Sequence, residues 1–356
     1  METRFKLASI SKWVGPNTNR AVYACMFVLV ITITQACNYY DGPHSGNFNG
    51  KRFYNEEPGQ SFRDHVRWLW EMKTINWPKW IEDPPQPPPV SLVDKDELRA
   101  TFVNQSSVLI QMDGINILTD PFWSDRAGPN SWLGAKRIRA PGVSLQDLPH
   151  IDLILISHDH YDHLDLPTLD TIIAESNPTI HVGLGVATRL SESVQAKVIE
   201  LNWWDDYSYS DDLKITFVPA RHSSGRRLLD KDKTLWGGYV LEGSPGRVLF
   251  FGDTAFGGFL ENIRNKFEGF RLAILPIGSY EPYWFMGREH MNPEAAVRVH
   301  KMLNVHTSMG THFGTVAEHP QQTVYAHKKD LSAALKQHNL TASEFVLLKF
   351  GEGRIF

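Results

Sequence analysis

The sequence predicts an α/β fold: a sandwich of two mixed sheets with helices on the outside. Three observations carry this reading. From about Leu98 onward, short apolar runs of strand length alternate with turns. Between them stand segments of helix length, two of them opened by proline. Strands precede each helix, often in pairs, which is the pattern of sheets covered by helices.

The strand runs are TFVNQSSVLIQM and INILTD, joined across Asp113–Gly114 as a hairpin signature. IDLILIS (151–157), TIHVGLG (179–185), KITFVPA (214–220), GRVLFFGD (246–253) and RLAILPIG (271–278) follow as buried-type strands. The helix candidates are PTLDTIIAES from Pro167, GGFLENIRNKF, and PEAAVRVHKML from Pro293. Proline suits a first helical turn, where its missing N–H would have no partner anyway.

Composition narrows the class. The 356 residues allow one large domain or two ordinary ones. With 42% hydrophobic and 21% charged residues the chain can bury a sizeable core. A net charge of −4 supplies no basic field, which argues against nucleic acid as a partner. The two cysteines, Cys25 and Cys37, both precede residue 40. No disulfide framework or cysteine cluster is available, so any metal must use nitrogen and oxygen ligands.

The amino end reads as an export signal or membrane anchor over residues 1–37. Arg4, Lys6, Lys12 and Arg20 precede the uncharged run Ala21–Ala36, which is slightly short for a transmembrane helix. The cysteine that follows, Cys37, resembles the lipidated residue of bacterial lipoproteins, although Thr34 stands where leucine is usual. That resemblance implies a chain tethered at Cys37 on the periplasmic face of a membrane. An uncleaved anchor, a simple signal peptide or a misread start codon are the alternatives. Residues 38–97 are rich in aromatics and proline, and PPQPPP must run extended. They are expected to wrap on a main domain spanning 98–356.

The chemistry concentrates in Ser157-His158-Asp159-His160-Tyr161-Asp162-His163, directly after the apolar run IDLILIS. His158, His160, Asp162 and His163 at a strand end point several ligands into one space, and zinc accepts imidazole and carboxylate. His158 and His160, two apart, share a face in extended backbone. A polar surface loop is the plain alternative. Asp253 ends GRVLFFGD, and a carboxylate ending a buried strand is costly unless paired or metal-bound.

His158-x-His160-x-Asp162-His163 resembles the signature of the metallo-β-lactamase superfamily. That resemblance implies an αββα four-layer sandwich with two metal ions at the sheet edge. His158, His160 and His222 would hold one ion. Asp162, His163 and His312 would hold the other, with Asp253 bridging. Two ions about 3.5–4 Å apart activate a shared water near neutral pH and neutralise an oxyanion. Zinc is the expected metal, though iron or manganese would accept much of this ligand set.

Four blocks resemble the branch that contains N-acyl phosphatidylethanolamine-hydrolysing phospholipase D. They are LTDPFWSDRAGP (118–129), GAKRIRAPG (134–142), ISHDHYDHLD (156–165) and PIGSYEPYWFMGREHMNPEAAVRVH (276–300). NFNGKRFYN (47–55) is similar to bacterial members. The implied activity is hydrolysis of that phospholipid to phosphatidic acid and N-acylethanolamine by a metal-bridged hydroxide. His290 and Asp162 would be catalytic. For His290, capping the helix near Pro293 is the alternative. Arg221, Arg226 and Arg227 flank His222, and Arg226 is the candidate phosphate contact, a solvated role being the alternative; Tyr280, Trp284 and Trp132 are the candidate lipid contacts, with ordinary core the alternative for the first two. After His222 the chain reads Ser-Ser-Gly-Arg-Arg rather than an aromatic residue, and Leu98-Arg99-Ala100 replaces the family's Trp-x-Gly-His. Both departures bear on acyl preference and leaving group and leave the ligand set intact.

A phospholipid or membrane surface, or a small-molecule ester, is the expected partner. The sequence does not fix the oligomeric state, a dimer being one option. A lactonase or other ester hydrolase of this fold is the enzymatic alternative, and a non-catalytic metal-binding lipoprotein the other.

Overall fold

The computed structural model describes residues 40–356 apart from 44, 73–74, 196, 228 and 317–321. The expected signal or anchor at 1–37, with Cys37, lies outside the described residues. In chain order the strands are β1 (Arg99–Asn104), β2 (Ser107–Met112), β3 (Ile115–Thr119), β4 (Arg126–Asn130), β5 (Leu133–Lys136), β6 (Leu153–Leu155), β7 (Thr179–Gly183) and β8 (Val198–Leu201). They continue as β9 (Asp206–Ser208), β10 (Lys214–Val218), β11 (Gly238–Gly243), β12 (Gly246–Phe251), β13 (Phe270–Pro276), β14 (Val305–Thr311), β15 (Phe345–Val346) and β16 (Gly353–Ile355). The helices are α1 (Phe62–Glu71), α2 (Leu166–Ser176), α3 (Glu192–Gln195), α4 (Phe259–Lys266), α5 (Tyr283–Met286), α6 (Pro293–Met302) and α7 (Ala326–His338).

Two seven-stranded sheets form the sandwich, in the orders β16-β1-β2-β3-β6-β7-β8 and β15-β14-β13-β12-β11-β10-β9, with β4 and β5 as a separate ribbon. Both are mixed: β3, β6, β7 and β8 run parallel in the first, and β12 to β15 in the second. Side-chain alternation builds the layers. Leu153 and Leu155 of β6 join the core that both sheets share. Ile154 and Ile156 face the other way, onto Leu169 and Ile172 of α2. The second sheet is covered by α6, which packs on β13, β14 and α7. The expected four layers are therefore present.

One local expectation changes. TFVNQSSVLIQM, expected as one strand, is two strands reversed at Gln105, whose φ of 41° is left-handed. The described residues of the 40–97 segment pack on the main domain. Residues 62–71 form a helix, and Phe48 and Phe53 enter the main core. Phe53 N donates to Asp232 O at 2.8 Å and Asn55 Nδ2 to His222 O at 2.7 Å. Arg139 Nη1 holds both oxygens of Asp83, at 2.9 and 2.8 Å. Tyr39–Phe356 accordingly form a single compact unit. Among the described residues no helix is long and apolar enough to cross a membrane.

Candidate metal centre

Strand ends deliver the candidate ligands. β6 runs out into His158–His163, β10 into His222, β12 into Asp253 and β14 into His312. A buried strand fixes its backbone through ladder hydrogen bonds, so the first residues past its end are rigidly aimed. His158, Asp162, His163, His222, Asp253 and His312 are all buried, and His160 is half-buried.

The seven side chains meet at one place. His160 Nδ1 lies 2.8 Å from His158 Nε2 and 3.3 Å from His222 Nε2. His163 Nε2 lies 3.1 Å from Asp162 Oδ2 and 3.2 Å from Asp253 Oδ2. His312 Nε2 lies 3.3 Å from Asp162 Oδ2 and 3.1 Å from Asp253 Oδ1. Asp253 also reaches toward His222 Nε2, at 3.6 Å, and so stands between the two groups. His158–His160–His222 and Asp162–His163–His312 each bring their ligand atoms close enough to hold one ion.

The donor chemistry fits a cation. His163 Nδ1 lies 2.7 Å from Asp120 Oδ2 and donates there, which leaves Nε2 with a lone pair. That atom is buried, makes no hydrogen bond among the described residues, and faces two carboxylate oxygens. Acceptors converging on acceptors require a positive charge between them. Without a metal, a proton must serve. Burial opposes a charge on His163, but Asp162, Asp253 and Asp120 overcome it and hold its pKa well above that of ordinary imidazole. Burial, with the neighbouring histidines, pushes His158 well below.

A second layer of residues orients the first. Asp120, one residue past β3, accepts Ser157 N on Oδ1 and Ser157 Oγ on Oδ2. Ser157 Oγ is in turn 2.9 Å from His158 Nδ1. One carboxylate thus steers a histidine of each group. Gln105 Nε2 donates to Asp162 Oδ2 at 2.8 Å and lies 3.1 Å from His312 Nε2. His222 Nδ1 is 3.0 Å from Glu289 O. Gly252 is glycine of necessity: a Cβ there would collide with Ser157 Oγ and Asp120 Oδ2.

Behind the ligands an ion network ties two loops together. Asp159 Oδ1 accepts Gly225 N at 2.7 Å and Oδ2 accepts Arg189 Nε at 2.8 Å. Arg189 Nη2 lies 3.0 Å from Asp230 Oδ2. Asp230 Oδ1 accepts the backbone N–H groups of Arg226 and Arg227. This fastens the loop of His158 and His160 to the loop of His222.

The site opens into a pocket whose lining also includes Gln60, His65, Trp68, Phe285, Met286, Glu289 and His290. Trp68 stacks on Phe285 at 5.3 Å and His65 meets it edge-on at 5.1 Å. His290 belongs here, its Nδ1 3.8 Å from Asp253 Oδ2 and its ring 5.1 Å from that of His222. It does not cap α6: Asn292 does, accepting Ala295 N.

The expected substrate residues lie elsewhere. Arg226 Nη1 donates to Asp159 O and Leu164 O, and its guanidinium lies 3.9 Å over the Tyr161 ring. It supports the ligand loop from behind instead of facing a phosphate. Tyr280 is buried, its hydroxyl bonded to Asp330 on α7, so the core alternative holds for it. Trp284 is half-buried outside the pocket lining, beneath Arg67 of α1. Trp132 is exposed at the β4–β5 turn and is not among the residues that line the pocket.

Asp120, Gln105 and Trp68 were not singled out from the sequence. Asp120 had a usable signal, since it ends the buried run INILT just as Asp253 ends GRVLFF. Gln105 and Trp68 had none, because only long-range folding brings them here.

Residues 115–313 match the family described as Beta-lactamase superfamily domain. The chain is 38% identical over 270 residues to N-acyl-phosphatidylethanolamine-hydrolyzing phospholipase D 1 of Caenorhabditis elegans, covering 72% of this chain and 75% of the worm protein. It is 34% identical over 221 residues to the mitochondrial N-acyl-phosphatidylethanolamine-hydrolyzing phospholipase D of Saccharomyces cerevisiae, covering 60% of this chain and 47% of the yeast protein. Among solved structures it resembles Igni18, a metallo hydrolase of Ignicoccus hospitalis, with a TM-score of 0.56 at 19% identity over 73% of this chain and 98% of that one. The likeness in sequence, sandwich and His/Asp clusters has one reading: this chain belongs to the metallo-β-lactamase superfamily and is a metal-dependent hydrolase.

Proposed function

We propose that the chain is a dinuclear zinc phosphodiesterase of the phospholipase D type. Its substrate would be N-acyl phosphatidylethanolamine, cleaved to phosphatidic acid and N-acylethanolamine. The observation that carries the reading is the pocket itself. The candidate metal ligands His160, Asp162, His222 and Asp253 form its floor, and Trp68, Phe285 and Met286 give it apolar walls. A small closed polar pocket would have favoured a lactone or other compact ester. The names of the worm and yeast relatives support the same substrate.

Bound dications would supply an activated water and a positive counterpart for the phosphodiester. His158, His160 and His222 would hold one, and Asp162, His163 and His312 the other, with Asp253 between. The chain's own residues do the rest. Gln105 fixes the Asp162 carboxylate by donating to Oδ2. His290, whose Nδ1 lies 3.8 Å from Asp253 Oδ2 in the pocket lining, would give a proton from its ring to the departing oxygen. Trp68 and Phe285, stacked on each other, give the pocket an apolar surface. A chain tethered by its amino end to an exported membrane face would meet such a lipid in the bilayer.

The test is hydrolysis of N-acyl phosphatidylethanolamine in mixed micelles by the zinc-loaded full chain, with Asp253→Asn beside it. Release of both products by the parent alone supports the proposal. A parent that binds two metals per chain yet cleaves only a generic phosphodiester or a lactone removes the lipid substrate and keeps the hydrolase.

A further inference from the structure

Helix α1 places its apolar residues on the outside. A capping box of Ser61 and Asp64 sets its first turn. Phe62, Val66, Leu69 and Trp70 recur at i, i+4, i+7 and i+8 and therefore share one face. They are 83%, 51%, 61% and 90% exposed. An amphipathic helix ordinarily turns such a face to the core. Here a different face does that work: His65 and Trp68 rest on Phe285, and Asp64 pairs with Arg288 at 3.0 Å. No residue of α1 is buried. Met72, Ile75 and Trp80 continue the exposed apolar surface past the helix.

We propose that this outward face of α1 docks on the surface of a phospholipid bilayer, with the helix lying in the plane of the interface. Its composition favours lipid over protein. Residues 62–80 hold four of the chain's eleven tryptophans, the side chain whose amphipathic ring settles at the headgroup level. The same stretch carries four Lys and Arg against two Asp and Glu, in a chain whose net charge is −4. That local positive balance complements an anionic leaflet, and a cationic rim beside Trp, Phe and Leu is the make-up of interfacial helices. The helix that would rest on lipid also supplies His65 and Trp68 to the pocket. Docking would thus bring the pocket wall to the bilayer. It does not depend on which ester the site cleaves.

Hydroxyl-radical footprinting of the full chain on phosphatidylcholine–phosphatidylglycerol vesicles tests this, beside Leu69→Glu/Trp70→Glu. The readout is oxidation of Phe62 relative to Leu92 and Tyr325, which are exposed elsewhere. Docking predicts that Phe62 is protected several-fold in the parent as vesicles are added and is labelled freely in the double variant. Leu92 and Tyr325 should label alike in both. Phe62 labelled equally with and without vesicles overturns the proposal. So does protection that follows protein concentration without lipid, which would mean that a second copy covers the face. Should the double variant unfold, Trp70→Ser gives the same comparison. A parent that docks but leaves N-acyl phosphatidylethanolamine intact removes the proposed substrate and retains the docking face.

Discussion

Asp120 Oδ2 lies 2.7 Å from His163 Nδ1, and both side chains are fully buried. The contact reaches beyond the pair, because Ser157 donates to the same carboxylate through its backbone and hydroxyl, and its hydroxyl adjoins His158. Three donors converge on two oxygens. An amide has one acceptor oxygen, so Asp120→Asn must set a donor against a donor. Removing such an outer partner typically lowers metal affinity about 10–100-fold. Chelator competition should show that loss with the fold intact; parental affinity would mean that Asp120 does not orient the ligands.

Arg189 sits between two buried carboxylates, Asp159 and Asp230. Arg189→Met leaves both charges without their cation. Breaking a buried pair costs about 3–5 kcal/mol, to be read from denaturant unfolding. Because the network joins the loop of His158 and His160 to that of His222, metal loss should be uneven. Under the proposed two-zinc reading, the ion that those three histidines would hold should dissociate first in a stepwise zinc titration.

Gly252→Ala should be as damaging as a ligand substitution, although residue 252 holds no metal. The added methyl meets Ser157 Oγ and Asp120 Oδ2. Overpacking of a filled site costs about 1–3 kcal/mol. Zinc stoichiometry and melting temperature should both fall. A variant with full zinc and parental melting would show that the strand end can shift aside.

His181 gives the fold a pH limit of its own. Its ring is buried on β7, edge-on to Tyr207 at 4.7 Å, with no hydrogen bond to either nitrogen among the described residues. Burial lowers its pKa to about 4 from an ordinary 6.5. The unfolded chain therefore binds a proton, and the folded chain does not, between those values. Stability is complete above pH 6.5 and falls as the pH drops toward 4, by up to about 3 kcal/mol for this group. His181→Met should flatten the fall in unfolding free energy between pH 7 and 5. An unchanged slope would assign that acid sensitivity to other groups.

Much of this molecule could be read from residues alone, and the boundary has a physical cause. Strands and ligands were legible because both rest on local pattern. An apolar run such as IDLILIS or GRVLFF must be buried, and a polar residue directly after it emerges at the sheet edge. The seven candidate ligands satisfy that rule or share a run with one that does. The hairpin at Asp113–Gly114 and the proline-led helices are equally local.

Tertiary structure decided what depends on contacts between distant residues. β16 pairs with β1 through Arg99 and Ile355, at opposite ends of the main domain. Gln105 reaches Asp162 and His312 because a turn expected to be mid-strand reverses there. Arg226, near a candidate ligand in sequence, turns its guanidinium to two backbone carbonyls, because a largely buried cation needs acceptors. The sequence could show that residues 62–71 carry an apolar stripe, but not that it would face outward. That followed from Phe285 offering its surface to His65 and Trp68 and leaving Phe62, Val66, Leu69 and Trp70 outside.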